Sequence, residues 1–137
     1  MTARILCATD GTVHSDHAVQ LAATMSAKLG ASLTICTVNV AMGGTRGPLI
    51  YAMEDSAVER VLDDAGKAAR KAGASKVEEV ALRSRDAAAA IVQYAEGNGF
   101  DHIVTGTGDK HGVSRLVLGS VAADVAGRAH CSVTIAR

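Results

Sequence analysis

The chain has 137 residues, 48% of them hydrophobic and 20% charged, and fourteen Lys and Arg balance fourteen Asp and Glu. That composition excludes a disordered chain, and the absence of net charge argues against a nucleic-acid binder, whose domains usually carry a clustered basic excess. No apolar run approaches the ~20 residues of a membrane span, and a domain of this size buries ~68% of its unfolded surface without a staple. We read residues 1–137 as a single domain. The opening run Met1–Leu6 is soon followed by Asp10, which does not suit a secretory leader, so a cytoplasmic protein is expected. Cys7, Cys36 and Cys131 are widely spaced, with no C-x-x-C pair; each reads as a reduced, buried thiol. Three aromatic residues, Tyr51, Tyr94 and Phe100, are too few for a base-stacking platform.

In chain order, Arg4–Thr9 (RILCAT) has little polar alternation and reads as a central parallel strand. Ser15 is placed to cap a helix in which Ala18, Leu21, Ala22, Met25 and Leu29 share a face, with Gly30 ending it. Ser32–Val38 is the second strand. The glycine-rich segment 39–48 (NVAMGGTRGP) reads as a mobile loop, with Met42 covering the mouth of a pocket. A helix is expected over 49–72, with Met53, Ala57, Val61, Ala65 and Ala68 in register. Its acidic residues Glu54, Asp55, Glu59, Asp63 and Asp64 read as a solvated face with i,i+4 pairs. Val77–Arg83 is the third strand, and Glu78 and Glu79 suit a wet edge. Ser84 is expected to cap the next helix, which carries Ala87, Ile91 and Ala95 up to Gly97. His102–Thr105 is the fourth strand, a short helix starts at Gly119-Ser120, and Ser132–Ala136 alternates like an edge strand.

Strands alternating with helices imply a parallel sheet with right-handed crossovers. The expected fold class is α/β, a five-stranded, doubly wound, Rossmann-like sheet of flavodoxin size with helices on both faces. Ligands of such sheets bind beyond the C-terminal strand ends, where the strand order switches. Asp10-Gly11-Thr12 follows the first strand there. Gly106-Thr107-Gly108-Asp109-Lys110-His111-Gly112 follows the fourth and runs on to Gly119-Ser120. Glycines admit an anion close to backbone amides, and a helix N-terminus adds free N–H groups. Phosphate binding and a plain loop both account for this run. Asp10 reads either as an Asp-Gly turn or as a carboxylate for ribose hydroxyls. The five histidines show no metal spacing, although His111 lies in the candidate phosphate loop. The sequence has no P-loop and no G-x-S-x-G elbow, so no catalytic residue is nominated.

In its segments ILCATDGTVHSDHA, HIVTGTG, GVSRLVLGSVAADV and AHCSVTIAR, the chain resembles the universal stress protein family along essentially its whole length. The resemblance implies the strand order 3-2-1-4-5 and a homodimer paired through the last strand, here Val133 and Ile135. Some members bind ATP through a loop written G-x-x-G-x(9)-G-[ST], while others bind no nucleotide. Carried over by position, Gly106 is the first loop glycine, and Gly119 and Ser120 are the closing pair, followed by Val121. Asp109 stands where the second glycine falls, with Gly108 just before it, and nine residues still separate Asp109 from Gly119. Asp10 matches the ribose-contacting position, preceded by Ala8 and Thr9, and Val38 and Thr105 flank the adenine. The implied ligand is ATP or another adenine nucleotide, and a bridging Mg2+ would offset the Asp109 charge. The resemblance thus implies a nucleotide-binding regulatory or accessory protein of the stress response with an unidentified protein partner. Two alternatives remain open: a dimeric interaction module without nucleotide, and a slow ATP hydrolase in which Asp10 orients water or metal.

Overall fold

The computed structural model describes residues 3–108 and 118–137, so Asp109, Lys110, His111 and Gly112 lie outside the described residues. Among the described residues there are six strands and four helices: β1 (Arg4–Ala8), α1 (Val13–Leu29), β2 (Ser32–Gly43), β3 (Leu49–Tyr51), α2 (Asp55–Lys71), β4 (Val77–Ser84), α3 (Ala87–Gly97), β5 (His102–Gly106), α4 (Ser120–Arg128) and β6 (Ser132–Ala136).

Five of the strands are parallel and run β4-β2-β1-β5-β6 across the sheet. Counted as parallel strands only, this is the expected order 3-2-1-4-5. The sixth strand was not expected. β2 runs on to Gly43 and pairs antiparallel with β3, matching Ala41 with Tyr51 and Gly43 with Leu49. The segment read as a glycine-rich loop is therefore half strand, and the first residues of the expected 49–72 helix form its partner. Met42 faces Ile50 in this register, is 55% exposed, and is not among the residues lining the cleft described below.

The helices cover both faces. Ile5, Cys7, Leu33 and Ile35 point to one side, where they meet Ala18, Val19, Ala22 and Ala23 of α1 and Val58, Leu62, Ala65 and Ala69 of α2. Leu6, Ala8 and Cys36 point to the other, against Ala88, Ile91, Val92 and Ala95 of α3 and Val125 of α4. The alanine-rich helix faces let backbones come close to the sheet, and the strands supply the bulky aliphatic groups. Cys7 and Cys36 lie on opposite sides and cannot approach each other as a disulfide would require; burial pushes both thiols up, Cys36 to about 12. The edges are as expected: among the described residues β6 pairs only with β5, and β4, with exposed Glu78 and Glu79, pairs only with β2. Asp63 and Lys67 form an exposed i,i+4 pair at 2.9 Å on α2. No described helix is long and apolar enough to cross a membrane.

Two helix starts differ from the sequence reading. Thr12, not Ser15, caps α1, accepting from Ser15 N–H through its hydroxyl. Asp86, not Ser84, caps α3, accepting from Ala89 N–H at 3.0 Å. In both cases a second small polar residue within three positions competed for the cap. The start of α2 depends on Asn39, which is 2% exposed on β2. Its side-chain amide donates to Met53 O at 2.7 Å and accepts from Met53 N–H at 2.9 Å, as a neighbouring strand would. Asn39→Ala leaves that half-buried backbone pair without the amide and is expected to destabilise the fold by about 1 kcal/mol. Urea unfolding followed by far-UV circular dichroism checks this; an unchanged midpoint would show that the amide pair contributes nothing.

Candidate functional site

The strand order reverses beside β1. α1 carries the chain from β1 to β2 on one side, and α3 carries it from β4 back across to β5 on the other. The connections therefore part above the C-terminal ends of β1 and β5, and an open cleft of about 500 Å³ lies there. All ten residues singled out in the sequence line it: Ala8, Thr9 and Asp10 after β1, Val38 on β2, Thr105, Gly106 and Gly108 at the end of β5, and Gly119, Ser120 and Val121 at the start of α4. The cleft also takes in Thr12, His14, Ser15, Thr37, Val40, Ala87, Ile91 and Ala122, which sequence reasoning did not nominate. The spacing Thr12-x-x-Ser15 directly after Asp10-Gly11 was the available signal for two of them. Nothing local in the sequence distinguishes Ala87 or Ile91, which α3 brings over from the far side of the sheet.

The walls differ chemically. β2 and α3 contribute Val38, Val40, Ala87 and Ile91, an apolar surface. Opposite it are the polar residues around the first turns of α1 and α4. The first N–H groups of a helix have no acceptor within the helix and carry the positive end of its dipole. With α3 opening at Ala87, three helix N-termini border one cleft. Thr12 and Asp86 already cap α1 and α3, and α4, which has no side-chain cap among the described residues, is the terminus open to an anion.

Two glycines make the polar end possible. A Cβ on Gly106 would sit 2.7 Å from His14 O, so β5 passes directly against the first-turn backbone of α1. Gly108 has φ +88°, and a Cβ there would lie 2.9 Å from Gly119 Cα. Gly119 N–H donates to Thr107 O at 2.7 Å, which joins the end of β5 to the start of α4. Larger residues at 106 or 108 would push these elements apart.

Asp10 stands solvent-accessible at the mouth. Its Oδ1 accepts from Thr12 N–H at 2.9 Å. Desolvation pushes its carboxyl up, but hydrogen bonds from the Thr12 side chain and backbone lead the effects that outweigh it and hold it below the usual carboxylate range. The arrangement therefore presents an ionised acceptor at neutral pH, one able to take hydrogen bonds from hydroxyl groups.

A doubly wound α/β domain with an anion-favouring cleft at its switch point is the class these observations define. The family model for universal stress proteins matches residues 1–137, and the chain belongs to the universal stress protein family. A universal stress protein solved in complex with cAMP is 27% identical, with a TM-score of 0.78 over 98% of this chain and 96% of that one. Protein Rv1636 from Mycobacterium tuberculosis H37Rv is 29% identical, with a TM-score of 0.64 over 98% and 94%. The universal stress protein from Archaeoglobus fulgidus in complex with dAMP is 22% identical, with a TM-score of 0.74 over 100% and 98%, and attests to the fold alone. No curated protein matches the chain.

A carboxyl held below its ordinary pKa by native hydrogen bonds stabilises the fold above its unfolded pKa of ~3.9 and stops doing so as the pH falls through the lower folded value. Asp10→Asn is therefore expected to cost up to about 1 kcal/mol at neutral pH, screened because the group is exposed. The difference between the two proteins should be flat from about pH 5 to 8 and shrink below about pH 4. Thermal unfolding across that range reads it; a difference that grows with acid would contradict the assigned hydrogen bonds.

Proposed function

We propose that this chain is a regulatory or accessory stress protein that binds an adenine nucleotide in the switch-point cleft and works as a homodimer of single domains. The observation that carries the reading is the juxtaposition, in one cleft, of an ionised Asp10, an apolar wall and the N-terminus of α4. Those are the three chemistries a nucleotide needs: an acceptor for sugar hydroxyls, a surface for the base and donors for phosphate. The cAMP complex of the 27% identical universal stress protein supports the same reading by similarity.

In this reading Asp10 accepts from ribose hydroxyls, with Ala8 and Thr9 forming the floor beside it. Val38 and Thr105 flank the adenine, and Val40 and Ile91 extend its apolar surface. Gly106 and Gly108 keep the polar end clear for phosphate, while Ser120 and the first N–H groups of α4, Val121 among them, donate to it. Mg2+ is the counter-ion proposed for a polyphosphate, because Asp109 puts a negative charge next to Gly108 in the sequence. The proposed setting is the cytoplasm, where three unpaired cysteines stay reduced.

Calorimetric titration with ATP, with and without Mg2+, is expected to give a micromolar Kd. Ser120→Ala should weaken it by about tenfold, the equivalent of one well-placed hydrogen bond to a charged group. Gly119→Val should weaken it at least as much, because its Cβ would lie 3.1 Å from Gly108 Cα and Thr107 O. No heat, together with no nucleotide released on denaturation, would overturn the reading and leave a dimeric interaction module.

Support for the dimer comes from β6, which leaves one edge unpaired among the described residues, with Val133 and Ile135 only partly buried. Sedimentation at micromolar concentration is expected to show a dimer, and Ile135→Lys should shift it to monomer. A wild-type monomer under those conditions would sink the proposal.

A further inference from the structure

Ser15 is 6% exposed at the start of α1, yet its hydroxyl does not cap the helix; Thr12 does that. Instead the Ser15 hydroxyl meets three residues of the turn that carries Asp10. It lies 2.8 Å from Thr9 Oγ1, 3.4 Å from Asp10 N and 3.0 Å from Thr12 O. Two more bonds complete the turn: Gly11 N–H donates to Thr9 Oγ1 at 3.2 Å, and Thr12 N–H donates to Asp10 Oδ1 at 2.9 Å.

Proton bookkeeping gives these contacts one consistent direction. Ser15 has a single hydroxyl hydrogen, and Thr12 O can only accept it. Ser15 Oγ then accepts from the Thr9 hydroxyl and from Asp10 N–H, which leaves Thr9 Oγ1 to accept from Gly11 N–H. Each of these donors has an acceptor, and three of the five bonds meet at Ser15 Oγ. Such a satisfied network, buried at its Thr9–Ser15 bond and half-buried around it, holds a single geometry, whereas a half-satisfied one does not.

We infer that Ser15 is a positioning residue for sugar recognition: its hydroxyl ties the end of β1 to the first turn of α1 and so holds the Asp10 carboxylate at the angle that ribose hydroxyls need. The inference rests on the nucleotide reading of the cleft. Ser15 acts through Asp10 and makes no contact with the base or phosphate in this scheme. Its loss should therefore be felt only by ligands that carry the sugar hydroxyls.

The test compares ATP with 2′,3′-dideoxyATP by titration calorimetry, in wild type and Ser15→Ala, with thermal melting of the same samples. Wild type is expected to prefer ATP by at least about tenfold, the value of hydrogen bonds to a charged acceptor. In Ser15→Ala that preference should fall to about threefold or less while affinity for the dideoxy ligand stays within twofold. A merely structural serine would weaken both ligands together, and that result overturns the inference. A Ser15→Ala protein that keeps the full wild-type preference overturns it as well, while leaving the nucleotide reading intact. Should wild type bind neither ligand, the nucleotide reading falls and the inference falls with it. Ser15→Cys, which keeps the side-chain volume but only a weak S–H donor, replaces the alanine variant if that one does not fold; the same loss of preference is expected.

Discussion

Everything in this molecule depends on β1 being buried on both faces and paired on both edges. Ile5, Leu6 and Cys7 are at most 1% exposed, and β2 and β5 flank the strand on either side. A strand so placed has no free direction except along its own axis. The chain must leave it at the C-terminal end, where neighbouring connections diverge to opposite faces. The cleft is the space they leave, and Asp10 is the second residue past the last of β1. The same constraint that builds the core thus puts a carboxylate at the mouth of a cavity.

The polar end of the cleft is built by close approach, not by long side chains. Gly106 lets β5 run against α1, and the contact of Gly108 with Gly119 brings the start of α4 beside the end of β5. Donors at this end are backbone N–H groups and short hydroxyls, whose positions are set by rigid elements. Such groups lose little entropy on meeting a ligand, which suits recognition of an anion. The turn after β1 follows the same economy of scale, with Thr9, Asp10, Thr12 and Ser15 linked through hydrogen bonds within seven residues. The apolar wall is made differently, since Val38 and Val40 come from β2 and Ile91 from α3, a helix distant in sequence that packs directly on that strand.

Local pattern carried far where one interaction range decided the outcome. The five parallel strands were legible because buried parallel strands are short, aliphatic and bounded by turns. The order of those strands came from the family resemblance, and pairing in the structure agrees with it. The region 39–54 was not legible. Asn39, Val40, Ala41 and Met42 extend β2 only because β3 folds back on them and β4 runs alongside as far as Ser84. Glycines at 43 and 44, both at positive φ, look like a loop in sequence but form the turn side of a hairpin. Asn39 reads as the first residue of a loop until its amide is seen pairing with the backbone of Met53.

The sequence by itself determined the class of fold and the parallel strands, through short-range hydrophobic period. Turn and glycine chemistry after a strand marked Asp10, Gly106, Gly108, Gly119 and Ser120, whereas Ala8, Thr9, Val38, Thr105 and Val121 came from the family resemblance. Only the tertiary structure decided the β2–β3 arm, the helix caps at Thr12 and Asp86, the apolar wall from α3 and the shared role of the Ser15 hydroxyl. Those features depend on which partners lie across the sheet or within hydrogen-bond reach once the chain has closed. A serine three residues after a threonine is equally suited to capping or to bracing a turn, and its choice is made by the buried groups that surround it.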